Sequence, residues 1–525
     1  MLVPVILGAV LVLTYIYFNL YRPLCYWQNL GVKQDNPLTL LKKLLLTFYN
    51  VIFKREDPLE AVINRYDKFP GSRYYGIYEM TSPGLMVKDA DLVTQMLVTD
   101  YVHFNDHRVL IHDDLDPLFT KCIFALKGEE WQKVRKTVTP SYTSSKMKGL
   151  FSTMNEYSER LAKHFLSRKE DVLRIEMRDT TTRFCNDSSA KMSFGINVDS
   201  FAEPNNEFWQ MCHKAVDTIS KPKVLSFNVY LLAPKLVKFL KMKIVDWDAD
   251  SFFRQIISDT MKIREKEREN GILGADLIHL LLEGRKRAKM NKDKETNVKS
   301  TYKNYNADWS NMDIIAQAFF FHFASCAPAP TLLSFMGYEL AVNPDVQEKV
   351  REEIRETDEI CGGKLTYEVL NRMKYIDMVV QESMRKWPSV IEVDRICSKD
   401  YVIQPVLPEE KPVLVKRGSR VIVPIYSLHH DPQFFPEPER FIPERFSDEN
   451  KHKIKPNTFT PFGFGSRTCM GSKYSILQAK LMYYHILSHF EIVPVEKTKV
   501  PLEVAKIPRL NAEGGLWVGL KRLDC

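Results

Sequence analysis

The chain has 525 residues, 45% hydrophobic and 27% charged, with a net charge of +8. Those proportions exclude a disordered chain and allow a large buried core. The modest positive surplus suits an anionic membrane surface or an acidic protein partner, and no nucleic-acid-binding motif accompanies it.

Residues 2–21, LVPVILGAVLVLTYIYFNLY, carry no charge. About 20 such residues are enough for one membrane-spanning helix. Arg22 follows, then Lys33, Lys42, Lys43, Lys54 and Arg55, which place that side in the cytoplasm. A basic start and a small-residue cleavage site are both missing, so residues 1–21 are expected to be an uncleaved anchor. Tyr15, Tyr17, Tyr21, Tyr26 and Trp27 stand where an interfacial aromatic belt would lie. Residues 22–58 are then a membrane-proximal linker, and 59–525 a single catalytic domain without internal repeats or a dividing linker.

Within that domain, residues 59–68 predict an amphipathic helix. Residues 74–88 predict a hairpin broken at Pro83-Gly84. Helices are expected at 146–167 and 250–269. The basic stretch 285–303, RKRAKMNKDKETNVKSTYK, reads as an exposed loop. Residues 311–343 form the longest apolar helical run, and a polar helix at 344–361 follows. Val and Ile alternate with turn residues over 401–425, which predicts strands. Residues 431–468, rich in Pro, Phe, Asn and Gly, predict a long ordered loop, and 472–490 another helix. The fold class is therefore mainly α with small β-sheets. Nine scattered cysteines without a C-x-x-C pair argue against a disulfide framework and for a reducing compartment.

The chemistry concentrates at 461–471, PFGFGSRTCMG. Cys469 sits in a loop between glycines, where a thiolate can approach a haem iron. Gly465 and Gly471 permit tight turns and close approach of backbone. Phe462 can shield the sulfur, and Arg467 can pair with a haem propionate. The helix that follows would begin beside the sulfur and favour its anion. The string matches F-x-x-G-x-R-x-C-x-G, the haem-binding signature of cytochromes P450, at Phe462, Gly465, Arg467, Cys469 and Gly471.

Three further features resemble that family, in the same order along the chain. ESMR, 382–385, puts Glu382 and Arg385 on one helix face. In the family this pair joins a later arginine. PEPERFIPERF, 436–446, offers Arg440 and Arg445, and the family pattern F-x-P-E-R-F selects Arg445. The resemblance implies a structural triad Glu382–Arg385–Arg445 that locks the haem loop. WQKVR, 131–135, resembles the helix whose Trp131 and Arg135 would reach the propionates, and Arg395 resembles the other propionate-binding arginine. Phrases such as DLIHLLLEGRK look most like insect microsomal members of the xenobiotic- and hormone-metabolising type. The implied cofactor is haem b with a cysteine thiolate ligand, the metal ligand being Cys469.

The pattern breaks at ASCAPAP, 324–330. The family carries an acid–alcohol pair here, which relays protons during oxygen activation. Alignment through TLLSFMGYELAVNPDVQEKV puts Ala327 and Pro328 at those two positions, and Ser325 at a glycine. Neither Ala327 nor Pro328 can hold a proton. Pro328 and Pro330 remove two helix donors and are expected to free the carbonyls of Ala324 and Cys326. His322, about 200° around the helix from Ala324, is expected to pack. His485 and His489, four apart, lack a third ligand nearby in sequence.

The resemblance implies a monooxygenase of the endoplasmic reticulum membrane with a cytosolic catalytic domain. Its partners would be NADPH–cytochrome P450 reductase, with cytochrome b5 as a further candidate, and a lipophilic substrate such as an insect hormone, a xenobiotic or an insecticide. Lys127, Lys133 and Lys136 could meet an acidic reductase. The Ala327-Pro328 change keeps two alternatives open: an isomerase or dehydratase acting on a peroxide substrate, and a non-catalytic haem protein. Residues 224–240 and 105–124 are expected to wall the substrate channel.

Overall fold

The computed structural model describes residues 2–53, 57–109, 115–216, 237, 239, 241, 243–270, 276–295, 309–507 and 509–523. The proposed channel segment 224–240 falls almost wholly outside that set, as does the end of the basic stretch, 296–303.

The chain opens with α1, Leu2–Ile16, whose side chains are exposed from Val3 to Tyr15. Helical turns continue to Asn29, so that a 27-residue segment is long and apolar enough to cross a membrane. One expectation fails here. Trp27 is fully buried, because it leaves the belt and packs beneath the first sheet. A Cβ on Gly76 would lie 2.3 Å from its ring, so only glycine lets that strand pass over the indole. Helices α2 (Pro37–Phe53) and α3 (Pro58–Asp67) follow, the latter capped by Asp57.

Strands β1 (Tyr74–Glu79) and β2 (Ser82–Val87) form the predicted hairpin, but the turn is at Met80-Thr81. Met80 has φ 54° there. Pro83 and Gly84 lie inside β2, opposite Tyr78 and Ile77. Pro83 is tolerated because it sits near the strand start, before the pairing with the next strand begins at Gly84.

Helices α4 (Gly128–Val138) and α5 (Ser144–Leu166) precede β3 (Val172–Glu176). Then come α6 (Met177–Phe194), α7 (Glu207–Val216), α8 (Trp247–Glu269) and α9 (Leu277–Glu295). Helix α9 includes residues 285–295 of the expected basic loop. Their Lys, Arg, Ala and Met are good helix formers, and Glu283 pairs with Arg287 one turn on.

The apolar run divides into α10 (Asn311–Cys326) and α11 (Ala329–Val342), broken at Ala327-Pro328. Pro330 falls in the first turn of α11, where its missing donor costs little. Most of the described 311–342 stretch is buried, so its apolarity serves the core. The break also divides the core. Helix α10 packs with α6, α7, α8 and α9, whereas α11 packs with α6 and with two helices that follow, α13 (Lys374–Lys386) and α14 (Ser472–Leu487). Between α11 and α13 runs the polar α12 (Pro344–Cys361).

The later strands are β4 (Val393–Ile396), β5 (Tyr401–Ile403), β6 (Val413–Val415), β7 (Arg420–Val423), β8 (Phe490–Val493) and β9 (Trp517–Arg522). They complete three small sheets, ordered β1-β2-β7-β4, β3-β9-β8 and β5-β6. The chain between β7 and α14 is irregular apart from short turns, as expected of 431–468. The described cysteines are all unpaired.

Trp27→Ala is expected to destabilise the full chain by about 3–5 kcal/mol. A lowered thermal midpoint in detergent checks it, against an unchanged midpoint for Leu11→Ala on the exposed face of α1.

Candidate active site

The site is built upward from one ion pair. Arg385 and Glu382, three apart on α13, are both fully buried. Arg385 Nε and Nη2 donate to the two Glu382 oxygens at 2.7 and 2.9 Å. The rest of the guanidinium donates to the carbonyls of His429 (3.0 Å) and Pro438 (2.7 Å). Glu382 also accepts from the Ile442 amide at 2.9 Å and from Arg445 Nε at 3.4 Å. Arg440 instead lies exposed beside Glu437. The structure thus brings Glu382, Arg385 and Arg445 together and leaves the Arg440 side chain outside, only its carbonyl accepting from Arg385 at 3.3 Å.

His429, to which the sequence pointed by no local signal, extends this network. Its Nδ1 faces the Arg385 carbonyl at 3.2 Å, and its Nε2 accepts from the Thr460 amide at 3.0 Å. Burial pushes its pKa from 6.5 to about 3. The ring is neutral in the fold and ties α13 to the residue two before Phe462.

The cysteine loop is closed by the Cys469 amide donating to the Phe462 carbonyl at 2.9 Å. Gly463 and Gly465 have φ of 79° and 58°. A Cβ on Gly465 would lie 2.1 Å from the Leu97 carbonyl oxygen, so no other residue fits. Gly471 is less constrained, since a Cβ there would sit 3.8 Å from the Cys469 sulfur. Burial raises the Cys469 pKa, while the Gly471 N–H and the Arg135 charge oppose that rise. Both favour the thiolate, and the Gly471 donor is the start of α14.

Cys469 opens onto a cavity of about 360 Å3. Phe462, Trp131, Arg135, Arg395 and Arg467 also line it. Arg467 lies 4.0 Å from the Trp131 ring, pairs with Asp106 at 3.1 Å and donates to the Asn105 carbonyl. Arg135 donates to the Thr468 carbonyl at 2.7 Å, and Arg395 to the Asp394 carbonyl at 2.7 Å. Burial lowers Arg467 to about 9 and Arg395 to about 10. Three guanidinium groups thus border a mostly apolar cavity, and burial works against the charge of each. A flat apolar ligand bearing carboxylates relieves that cost. A haem has that chemistry, with Cys469 as its sulfur ligand, so the residues present fit the group.

Beside Arg395, whose Nη1 lies 3.4 Å from His107 Nδ1, the rings of His107, Phe124 and Phe320 form a stacked file in the cavity lining, with centroids 4.6 and 6.1 Å apart. Ala324, Ser325 and Pro328 line the cavity, but Ala327 does not. Protein donors take up carbonyls at the break. Arg178 donates to the Ala327 oxygen at 3.2 Å and Ser389 to the Pro328 oxygen at 3.0 Å. Nothing in RDTTTR around Arg178 announced that role.

Ser325 Oγ, Tyr474 Oη and Gln478 Oε1 are buried without a protein partner. Ser325 and Tyr474 lie near enough to affect each other, yet make no hydrogen bond of ordinary length. Gln478 donates to Ser188 Oγ at 3.0 Å. These atoms form a polar file leading from the cavity between α6, α10 and α14, of the kind that ordered water completes. His485 faces Asn155 at 2.9 Å and belongs to no metal-type cluster among the described residues.

Comparison with known proteins agrees with this geometry. The family description Cytochrome P450 matches residues 41–512. Cytochrome P450 9e2 of Blattella germanica is 39% identical over 488 residues, 90% of each chain. Probable cytochrome P450 9f2 of Drosophila melanogaster is 34% identical over 509 residues, 94% of each chain. Cytochrome P450 6j1 of Blattella germanica is 32% identical over 515 residues, 97% of this chain and 96% of that one.

Glu382→Ala strands Arg385 as an unpaired buried charge, at a cost of about 3–5 kcal/mol. The expected outcome is a low haem-to-protein ratio on purification, while Arg440→Ala retains the full ratio. His429 gives an acid limb. Its folded pKa lies below the unfolded 6.5, so its contribution is complete above pH 6.5 and is lost as pH falls towards about 3. Haem absorbance followed through that window is expected to fall less steeply for His429→Gln.

Proposed function

The chain belongs to the cytochrome P450 family, whose members are haem monooxygenases, and on that premise we propose that it inserts one oxygen atom of O2 into a lipophilic substrate. The carrying observation is the Cys469 thiol opening onto an apolar cavity bordered by Arg135, Arg395 and Arg467. Bound there, the haem supplies the oxygen-activating centre. Cys469 holds its iron, the three arginines take its carboxylates, Trp131 supports Arg467, and Phe462 keeps water from the sulfur. Glu382, Arg385 and Arg445 hold the loop that presents Cys469.

The wall of His107, Phe124 and Phe320 favours a substrate with a flat, unsaturated part. Lipophilic insect hormones, xenobiotics and insecticides that carry such a part are the candidates. The apolar N-terminal helix supports anchoring in the endoplasmic reticulum membrane, with residues 59–525 as one cytosolic catalytic domain behind the anchor and its linker. Lys127, Lys133 and Lys136, at and along α4, offer a basic face to an NADPH-dependent reductase or cytochrome b5.

Protons need another carrier than Ala327 and Pro328. Ser325 is the hydroxyl residue of α10 in the cavity lining, its Oγ buried, and Tyr474 Oη stands nearby. In our reading Ser325 passes protons inward through water shared with Tyr474 and Gln478. A second reading draws on the same Ala327-Pro328 change. An isomerase or dehydratase acting on a substrate peroxide needs no such relay.

The test uses the full chain with reductase and NADPH. A thiolate-type Soret shift with carbon monoxide and an oxygenated product are expected. Ser325→Ala is expected to lower product turnover by about 10²-fold and to divert electrons to peroxide. Product formed from a lipid hydroperoxide without NADPH, and none with it, supports the second reading. A reduced carbon monoxide spectrum without the thiolate shift sinks both.

A further inference from the structure

His322 and Cys326 lie one turn apart on α10, on the same face. Cys212 comes to them from α7. All three are buried, with the ligand atoms within 4.8 Å of one another. Cys326 Sγ and His322 Nε2 are 3.8 Å apart. The other ring nitrogen, Nδ1, is held by Ser189 Oγ at 3.1 Å, which turns Nε2 towards the two sulfurs. The rings of Phe194, Phe208 and Phe253 stand 5.1, 5.3 and 5.7 Å from the imidazole. Of the three ligand residues, none lines the haem cavity.

We propose that Cys212, His322 and Cys326 form a buried zinc(II) site that ties α7 to the last turn of α10. This goes beyond the monooxygenase reading and is independent of it.

The donor set selects the ion. Thiolate and imidazole are zinc ligands, and two thiolates with one neutral imidazole are a recurring catalytic-type set that leaves a fourth position for water. Charge selects a divalent over a monovalent ion. Two thiolates cancel Zn2+, so the complex is neutral inside its aromatic box, where any net charge is costly. Zinc with Zn–S bonds of about 2.3 Å and Zn–N of about 2.0 Å sets sulfur and nitrogen about 3.5 Å apart and the two sulfurs about 3.8 Å apart. The observed 3.8 Å between sulfur and nitrogen is within about 0.3 Å of that, and the widest pair closes by about 1 Å through side-chain rotation. Binding displaces the two thiol protons to solvent, and no redox step is involved. Ser189 is the orienting partner that metal-bound histidines usually have. The site sits immediately before the Ala327-Pro328 break, where α10 has lost its continuity with α11. There it fixes the end of the helix that carries Ser325.

The experiment uses the full haem-loaded chain, expressed with added zinc and dialysed against EDTA. Metal analysis is expected to give about one zinc per haem, and zinc K-edge absorption to show two sulfur neighbours and at least one nitrogen. Cys212→Ala and Cys326→Ala are expected to lose the zinc while keeping the thiolate-type carbon monoxide spectrum, which reports folding. Ser189→Ala, the milder variant, is expected to weaken zinc retention by about 10- to 100-fold. Zinc that survives in Cys212→Ala lies elsewhere and overturns the proposal. So does a zinc-free chain with three unmodified side chains, or a Cys212–Cys326 disulfide seen as a 2-dalton deficit by mass spectrometry.

Discussion

Arg385 and Glu382 hold the protein's most demanding interaction: a guanidinium and a carboxylate, both without solvent contact, on one face of α13. Desolvating such a pair costs several kcal/mol, and the cost is offset only when every remaining donor and acceptor is filled. Here each is filled from the irregular chain between β7 and α14: the carbonyls of His429 and Pro438, the amide of Ile442 and the side chain of Arg445. A long loop without regular hydrogen bonding is thereby tied to α13 at four points. Those ties extend towards Phe462 and Cys469, because His429 also accepts from the Thr460 amide.

The cavity carries the opposite electrostatic sign of problem. Arg135, Arg395 and Arg467 are cations that burial disfavours, as their lowered pKa values record. In Glu382–Arg385 the compensating charge is built into the chain. At the cavity much of it is left to a ligand. The first arrangement stabilises the fold by itself, and the second makes stability depend on the cofactor. The same division explains why the sulfur side is so closely specified: it must support the haem before any chemistry occurs.

The distal helix shows how the fold absorbs a break. Pro328 and Pro330 interrupt a buried run, yet the carbonyls of Ala327 and Pro328 are taken by Arg178 and Ser389. Pro330 occupies a first-turn position where it does no damage. The break coincides with the boundary between two apolar clusters, and α6 packs against both α10 and α11 across it. The polar atoms nearest the break are then Ser325 Oγ and, behind it, Tyr474 Oη and Gln478 Oε1, the groups on which the proposed relay rests.

Short-range patterns made much of this legible. The string PFGFGSRTCMG names the sulfur and its loop, because close approach to a macrocycle demands glycine and cysteine at fixed spacing. Helical periodicity placed α5, α8, α12 and α14 to within a few residues. Local signals misplaced the hairpin turn at Pro83-Gly84, since a proline near a strand start resembles a turn. They put Trp27 in an aromatic belt, since burial beneath Gly76 depends on a contact 49 positions away. They read 285–295 as loop, since its charges hide good helix formers. Nothing local marked His429, Arg178 or the approach of Cys212 to His322 and Cys326. His429 meets Arg385 and Thr460 from 44 and 31 positions away, Arg178 meets Ala327 from 149, and Cys212 comes from a separate helix, so each depends on packing. The sequence by itself determined which cysteine stands in the family's haem-binding string and that positions 327 and 328 cannot carry a proton, because both follow from residue identity. The tertiary structure alone decided what surrounds them, because packing brings together partners that chain order keeps apart.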